Sequence, residues 1–173
     1  RPAARLDQPT LTHPARDQWA EIIPETDDVI DMCRLINGQF VVVRLHHASH
    51  KLALFAKDGT PGREIPLPTL GAILELNGRQ EDSEFYLQFQ SFLYPPTILR
   101  YDFETGQLTA VHQPTLPFDP SQYETRQIFF PSKDGTQVPL FITHKKGLTL
   151  DGQNPTLLYG YGGFNISLPP AFA

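Results

Sequence analysis

The sequence predicts a mainly β chain in which about two repeated four-stranded units precede the start of a second domain. Short runs of β-branched and aromatic residues, turn signals after each run and the recurrence of one strand order predict this architecture. The 17 prolines and 12 glycines among 173 residues also favour many short elements over long helices.

Each repeated unit contains four strand candidates. Those of the first unit, which begins at Val29, read VIDMCRL, QFVVVRLHH, KLALFAKDG and GREIPLP. Those of the second unit, which begins at Gly71, read GAILEL, SEFYLQFQSF, PTILRYDFETG and QLTAVHQ. Upstream, the run QWAEIIPE around Trp19 is compatible with the outer strand of a preceding unit.

Equivalent breaks in the two units show the repeat length. The first break of each unit is an Asn-Gly pair, at Asn37 and Asn77, and the third strands end at Gly59 and Gly106. A four-stranded unit of roughly 40 to 50 residues is typical of a β-propeller blade. Two antiparallel meanders are also compatible with half of a sandwich or barrel, and the pattern alone leaves this alternative open.

A proline-rich stretch, QPTLPFDPSQ, separates the repeats from the rest of the chain. It indicates a boundary, with the C-terminal blades of a propeller in residues 1–117 and the beginning of another domain in residues 118–173. Beyond it, YETRQIFFPSKDG and TQVPLFITHK are predicted to pair as a hairpin through Asp134 and Gly135. The run PTLLYGYGGFN, from Pro155, then reads as an apolar strand that ends in a glycine-rich loop.

A hairpin followed by a buried strand and a glycine-rich loop is how the sheet of an α/β-hydrolase begins. In that fold the loop after the third strand supplies one arm of the oxyanion hole, and glycines allow a close approach to the reacting carbonyl. A plain turn with packed tyrosines is the alternative interpretation. A phosphate-binding loop is disfavoured because the segment lacks both G-x-G-x-x-G and a Walker lysine.

Composition disfavours several partners and cofactors. The formal net charge of −5 opposes binding to a nucleic-acid backbone or an anionic membrane surface, and no run of about 18 apolar residues is present. Cys33 is the only cysteine, so the chain can form no intramolecular disulfide and no cysteine-rich zinc site. We therefore expect no metal, no cofactor, no nucleic acid and no membrane partner.

The second half of the chain resembles the prolyl oligopeptidase family. The resemblance is dense in residues 127–173, through PSKDGT, HKKG, LDG and LLYGYGGFNIS, and looser upstream, where FYLQFQSFLYP resembles the last propeller blade of the family. It implies a seven-bladed propeller that caps an α/β-hydrolase domain, with a Ser-His-Asp triad in the cavity between the two.

The resemblance also implies roles for the glycine-rich loop. Tyr161 matches the family tyrosine whose hydroxyl donates to the oxyanion, and a phenol is a neutral donor at pH 7. Phe164 matches a phenylalanine that lines the pocket for the substrate proline. Gly160, Gly162 and Gly163 would let the loop pass the substrate without clashes of Cβ atoms.

The sequence contains no candidate for the triad. No serine lies in a G-x-S-x-G elbow, so we expect the nucleophile, acid and base downstream and an inactive fragment. The histidines show no metal or base spacing, which predicts surface or turn roles for His13, His46, His47, His50, His112 and His144. Cys33 reads as a buried small hydrophobe. The acidic cluster of Glu25, Asp27, Asp28 and Asp31 reads as a solvated loop, with calcium binding left open.

The resemblance implies a serine endopeptidase that hydrolyses short proline-containing peptides on the carboxyl side of proline, with the propeller gating access. We expect a monomeric, cytoplasmic parent. One alternative is an enzyme like oligopeptidase B or another propeller-capped α/β-hydrolase. Relatives that prefer basic residues tend to carry a YGYGSYG-like loop, whereas this chain has Gly163-Phe164-Asn165. The other is a non-catalytic propeller that binds proteins, which predicts further blade repeats after Phe172.

Overall fold

The computed structural model describes residues 4–9, 12 and 15–173, and within them the chain is mainly β up to Lys145. Two short 3₁₀ turns, Arg16–Gln18 and Pro120–Gln122, accompany the strands. The strands are β1 Leu6–Gln8, β2 Ala20–Ile23, β3 Val29–Ile36, β4 Gln39–His46, β5 Ser49–Ala56, β6 Pro61–Ile65, β7 Ala72–Asn77, β8 Glu84–Ser91, β9 Tyr94–Asp102, β10 Gln107–His112, β11 Tyr123–Pro131 and β12 Gln137–Lys145. No helix in this part of the chain is long and apolar enough to cross a membrane.

Both repeated units form four-stranded antiparallel meanders, as the sequence predicts. Strands β3 to β6 form one sheet, here called the first blade, and strands β7 to β10 form the second blade. The Asn37-Gly38 break is a two-residue turn in which both φ angles are positive, 48° and 69°, as a type I′ hairpin requires. The Asn77-Gly78 break instead opens a longer connection to β8.

The two blades pack face to face through a shared apolar core. Val41 and Val43 on β4 point into this core and belong to one cluster with Phe85 and Phe89 on β8. Alternate residues of a strand point to opposite faces, so Val42 faces away from the second blade. The continuous valine run of β4 is therefore buried on both sides.

A two-stranded sheet, β1 paired with β2, covers the other face of the first blade. Ile23 is fully buried there and packs in a cluster with Val42 and Phe55. Gly59, with a φ of +86°, lies so close that an added Cβ would stand 1.7 Å from the carbonyl oxygen of Ile22. The strand expected around Trp19 is thus present as β2, and it stacks on the first blade as a neighbouring blade would.

Strands β11 and β12 form a separate hairpin, which confirms the prediction from Asp134-Gly135. The nine pairs run without a register shift from Tyr123–Lys145 to Pro131–Gln137. The turn repeats the KDGT sequence of the β5–β6 turn. In both turns an aspartate Oδ1 accepts a bond from a threonine backbone N–H, at 2.9 Å for Asp58 and 3.0 Å for Asp134.

The prediction of an apolar strand in PTLLYGYGGFN is wrong. Residues 155–163 form no strand, and Leu157 and Leu158 are 94% and 81% exposed. A strand is stabilised by the ladder to a neighbour, and no described strand pairs with this segment. Of the strands expected to begin an α/β-hydrolase domain, the described residues contain only the β11–β12 hairpin, and the start of that fold is not evident.

Candidate functional site

The predicted site residues lie on one exposed loop. The side chain of Tyr161 is about half exposed, at 52%, and that of Phe164 is 91% exposed. The Tyr161 ring covers Gly163, where an added Cβ would lie 3.4 Å from the ring atom Cε1. An added Cβ at Gly160 or Gly162 would meet no atom within 4 Å. The loop thus presents both aromatic side chains to the surroundings.

The backbone of this loop turns sharply just after the glycines. The N–H of Ile166 donates to the carbonyl oxygen of Gly163 at 3.1 Å, and the central residues of the turn, Phe164 and Asn165, have φ angles of 52° and 53°. A left-handed conformation is common for asparagine but strained for phenylalanine. Of the three predicted glycines, Gly162 alone has a positive φ, 70°. Part of the strain therefore falls on Phe164 itself.

The β11–β12 hairpin rests on hairpin turns of the two blades. The ring of Phe129 contacts the ring of His47 in the β4–β5 turn, with centroids 5.0 Å apart. The ring of Phe141 contacts that of Phe92 in the β8–β9 turn, at 5.6 Å. Because both turns belong to the same end of the blades, one face of the hairpin is held against that end.

Two histidines of the first blade pair with the acidic cluster. Nδ1 of His46 lies 2.7 Å from Oδ1 of Asp28, and its ring centroid is 4.2 Å from that of His47. Nε2 of His50 lies 3.4 Å from Oδ2 of Asp31. The prediction that this acidic cluster is only a solvated loop is therefore wrong for these two carboxylates. Asp31 faces its partner because β3 has a bulge there, between Ile30 and Met32.

The prediction of surface or turn roles fits some histidines and fails for two. His47 does lie in a turn, whereas His50 is buried at the seam between the blades, with a side chain 5% exposed. His144 lies within β12 with a side chain 8% exposed, and its Nδ1 is 2.9 Å from the carbonyl oxygen of Lys145. His112 ends β10 and His13 lies outside the described residues. In residues 4–9, 12 and 15–173, no group of three or more His, Cys, Asp or Glu could hold a metal ion.

A cleft separates the first strands of the two blades. It is lined by residues 31–34 of β3 and residues 74–77 of β7. Cys33 belongs to this wall and is partly buried, and burial raises the pKa of its thiol. A bulge at Leu74 of β7 matches the bulge at Asp31 of β3, so the two strands share one irregularity. These bulges could not be predicted from the sequence, because nothing in the composition of either strand marks them.

Two buried serine hydroxyls bind backbone oxygens. Ser49 donates to the carbonyl oxygen of His46 at 3.0 Å, and Ser91 donates to that of Leu70 at 2.6 Å. Both residues are buried. These hydroxyls therefore stabilise the blade turns.

Comparisons with known proteins cover the whole chain. The family profile described as the N-terminal β-propeller domain of prolyl oligopeptidase matches residues 2–114. A prolyl endopeptidase of Elizabethkingia meningoseptica is 37% identical over 172 residues, which make up 99% of this chain and 24% of that protein. The prolyl oligopeptidase ophP of Omphalotus olearius is 38% identical over 147 residues, 78% of this chain and 18% of that protein.

Solved structures of similar proteins have the same fold. A prolyl endopeptidase structure matches with a TM-score of 0.89 and 35% identity, over 98% of this chain and 25% of its own. Prolyl oligopeptidase B of Galerina marginata, bound to a 35mer hydrolysis and macrocyclization substrate, matches with a TM-score of 0.81 and 31% identity, over 90% of this chain and 23% of its own. The chain spans about a quarter of the length of the first of these relatives.

Proposed function

The chain belongs to the prolyl oligopeptidase family, and we propose that it is the part of a serine endopeptidase that joins the last propeller blades to the catalytic domain. On this proposal residues 1–117 are C-terminal blades and residues 118–173 begin an α/β-hydrolase domain. The whole enzyme hydrolyses short peptides on the carboxyl side of proline, and its propeller gates access. The observation that carries the proposal is the 37% identity to a prolyl endopeptidase over 172 residues, a span that includes the loop of Tyr161.

Tyr161 is the proposed oxyanion donor. Hydrolysis of a peptide bond passes through a tetrahedral intermediate whose oxygen carries negative charge, and a neutral O–H aimed at that oxygen stabilises it. The phenol is a neutral donor at pH 7. The side chain of Tyr161 is half exposed, and its ring lies over Gly163 and outside the blade core. The hydroxyl is thus available to a substrate that approaches the loop.

Phe164 is the proposed contact for the substrate proline. Its side chain is 91% exposed, and the turn from Gly163 to Ile166 sets the backbone conformation of Phe164 on the same loop as Tyr161. An aromatic face packs well against a pyrrolidine ring, and this contact removes apolar surface from water. Gly160, Gly162 and Gly163 keep the loop free of side chains where the substrate backbone would pass.

The nucleophile, acid and base of the reaction are proposed to lie outside these residues. The sequence has no G-x-S-x-G elbow, and the matched relatives are about four times as long as the chain. Residues 1–173 alone are therefore inactive on this proposal. The enzyme acts as a cytoplasmic monomer without a cofactor, a metal, a nucleic acid or a membrane partner. The family resemblance and the single cysteine support this part of the proposal.

The test compares two tyrosine variants of the full-length protein on a chromogenic Gly-Pro substrate. Tyr161→Phe removes the proposed donor and is expected to lower kcat by about 100-fold or more. Tyr159→Phe is the matched control, because it removes a hydroxyl from the same loop at a residue that is 75% exposed, and full activity is expected.

Equal activity of the two variants would remove Tyr161 from the oxyanion site. Cleavage after basic residues instead of proline would favour an enzyme like oligopeptidase B. Absence of any hydrolysis by the wild-type protein would favour the non-catalytic binding propeller.

A further inference from the structure

His50 lies at the seam between the two blades and is bonded to the second blade twice. Its backbone N–H donates to the carbonyl oxygen of Gly71 at 2.9 Å. Its ring atom Nδ1 accepts the backbone N–H of Ile73, the second residue of β7, at 2.8 Å. The side chain is 5% exposed, so the latter bond is shielded from water.

The hydrogen-bond pattern determines which ring nitrogen carries the proton. A backbone N–H can donate only to an unprotonated nitrogen, so Nδ1 is the acceptor and the proton of the neutral ring is on Nε2. Nε2 lies 3.4 Å from Oδ2 of Asp31 on β3. One imidazole thus connects the first strand of the first blade, β5 and the first strand of the second blade.

We propose that His50 forms a pH-sensitive hydrogen bond between the blades, which is present while its ring is neutral and is broken once the ring is protonated. Protonation places a hydrogen on Nδ1, directly opposite the N–H of Ile73. Two donors then face each other, the bond is lost and a buried backbone N–H is left without its acceptor. The carboxylate of Asp31 meanwhile stabilises the imidazolium through Nε2, which allows the ring to take up the proton in the folded protein.

The other charged groups around His50 leave this arrangement intact. On the β4 side, His46 is already paired with Asp28 at 2.7 Å. On the remaining side, Lys51 of β5 and Glu64 of β6 line the same cleft as the histidine and bring charges of opposite sign. From β7, residues 72–74 contribute apolar side chains at this level. Asp31 on β3 is therefore the charged group positioned to stabilise the protonated ring.

Loss of the hydrogen bond between His50 and Ile73 is a local event. The apolar cluster that includes Val41, Val43, Phe85 and Phe89 still holds the two blades together, because none of these side chains titrates. The cleft lined by residues 31–34 and 74–77 already separates β3 from β7, so we expect the contacts between these two strands to loosen first. This inference concerns the propeller alone and does not depend on the proposed peptidase activity.

The experiment is hydrogen exchange of the full-length protein between about pH 8 and pH 5, with rates corrected for the pH dependence of intrinsic exchange. We expect the protection factor of the Ile73 amide to fall roughly tenfold or more on acidification. Amides within the β4–β5 ladder, such as that of Ala53, serve as the internal control and are expected to keep their protection. Constant protection of Ile73 would overturn the proposal.

Two variants distinguish loss of the His50–Ile73 hydrogen bond from a general destabilisation of the fold at low pH. In His50→Asn the side-chain Oδ1 replaces Nδ1 as acceptor and cannot be protonated in this range, so Ile73 protection should stay constant with pH. The same acid-dependent loss in this variant would overturn the proposal. In Asp31→Asn the ring loses its stabilising carboxylate, and the loss of protection is expected at lower pH. If His50→Asn fails to fold by circular dichroism, an unchanged transition in Asp31→Asn overturns the proposal instead.

Discussion

The side-chain amide of Gln127 on β11 donates a hydrogen bond to the backbone carbonyl of His47, 80 residues earlier in the chain. Beside it, the ring of Phe129 meets the edge of the His47 ring. His47 and Ala48 form the β4–β5 turn with φ angles of 46° and 61°, a left-handed conformation that is tolerated by histidine but strained for alanine. The hairpin is therefore attached to the first blade through a strained turn.

Loss of this attachment should have a measurable cost. In Gln127→Ala the carbonyl of His47 loses its donor, and we expect the free energy of unfolding of the full-length protein to fall by about 1 kcal/mol. Urea denaturation measures the difference. Gln137→Ala, at the exposed first residue of β12, is the control and should be close to neutral. Equal effects in both variants would show that the bond contributes nothing.

The two KDGT turns allow steric contact to be separated from backbone strain. Gly59 and Gly135 have nearly equal φ angles, +86° and +87°, but an added Cβ meets the Ile22 carbonyl at 1.7 Å in the first case and nothing within 4 Å in the second. Gly135→Ala should cost about 1 to 2 kcal/mol for the left-handed conformation alone. Gly59→Ala should cost roughly 3 kcal/mol or more, because the clash adds to it. Denaturant midpoints of the two variants measure the gap, and equal losses would exclude the contact with β2.

Asp134 makes the stability of the β11–β12 turn depend on pH. A hydrogen bond from the Ser132 hydroxyl, followed by the backbone N–H of Thr136, lowers the pKa of this carboxyl from 3.8 to about 2. A depressed pKa in the folded state stabilises the fold above the unfolded value, and the contribution is lost as the pH falls from about 4 towards 2. NMR titration of the Asp134 carboxyl should show a midpoint near 2. In Asp134→Asn the turn amides should lose this acid-dependent shift, and a midpoint near 4 in the wild type would contradict the hydrogen-bond assignment.

Phe164 should govern affinity for the substrate proline. On the proposed function, Phe164→Ala removes an aromatic face from the pocket, and we expect kcat/KM for a Gly-Pro substrate to fall roughly 10- to 100-fold. Leu157→Ala is the matched control, since that side chain is 94% exposed on the same segment. Steady-state kinetics of both full-length variants provide the measurement. A variant as active as the control would place the proline elsewhere.

Strand positions could be predicted because each strand carries its own local signal. The valine run of β4 and the aromatic alternation of β8 specify extended, buried segments, and Asp134-Gly135 specifies a hairpin. The same local signal failed at Pro155, where an apolar run forms no strand. An apolar run describes a segment that can be buried, whereas a strand also needs a neighbour to share its hydrogen bonds.

The candidate loop could be located from the sequence, but its shape could not. The glycines of residues 160–163 alone predict that Tyr161 and Phe164 lie on a loop. The structure adds that Phe164 itself has a positive φ, 52°, while Gly163 lies under the Tyr161 ring. The backbone conformation of a single non-glycine residue depends on the turn around it, and the residue types in this turn do not predict a positive φ at Phe164.

By itself, the sequence determined that this chain is mainly β, that two four-stranded meanders follow one another and that a hairpin comes after a proline-rich boundary. These features depend on residues close together in the chain. The tertiary structure alone decided that the blades stack face to face, that His50 reaches Ile73 and Asp31, and that Gln127 meets His47. Such contacts join residues far apart in sequence, and the shared apolar core, the bulge in β3 and hydrogen bonds between distant strands and turns bring them together, none of which a local pattern encodes.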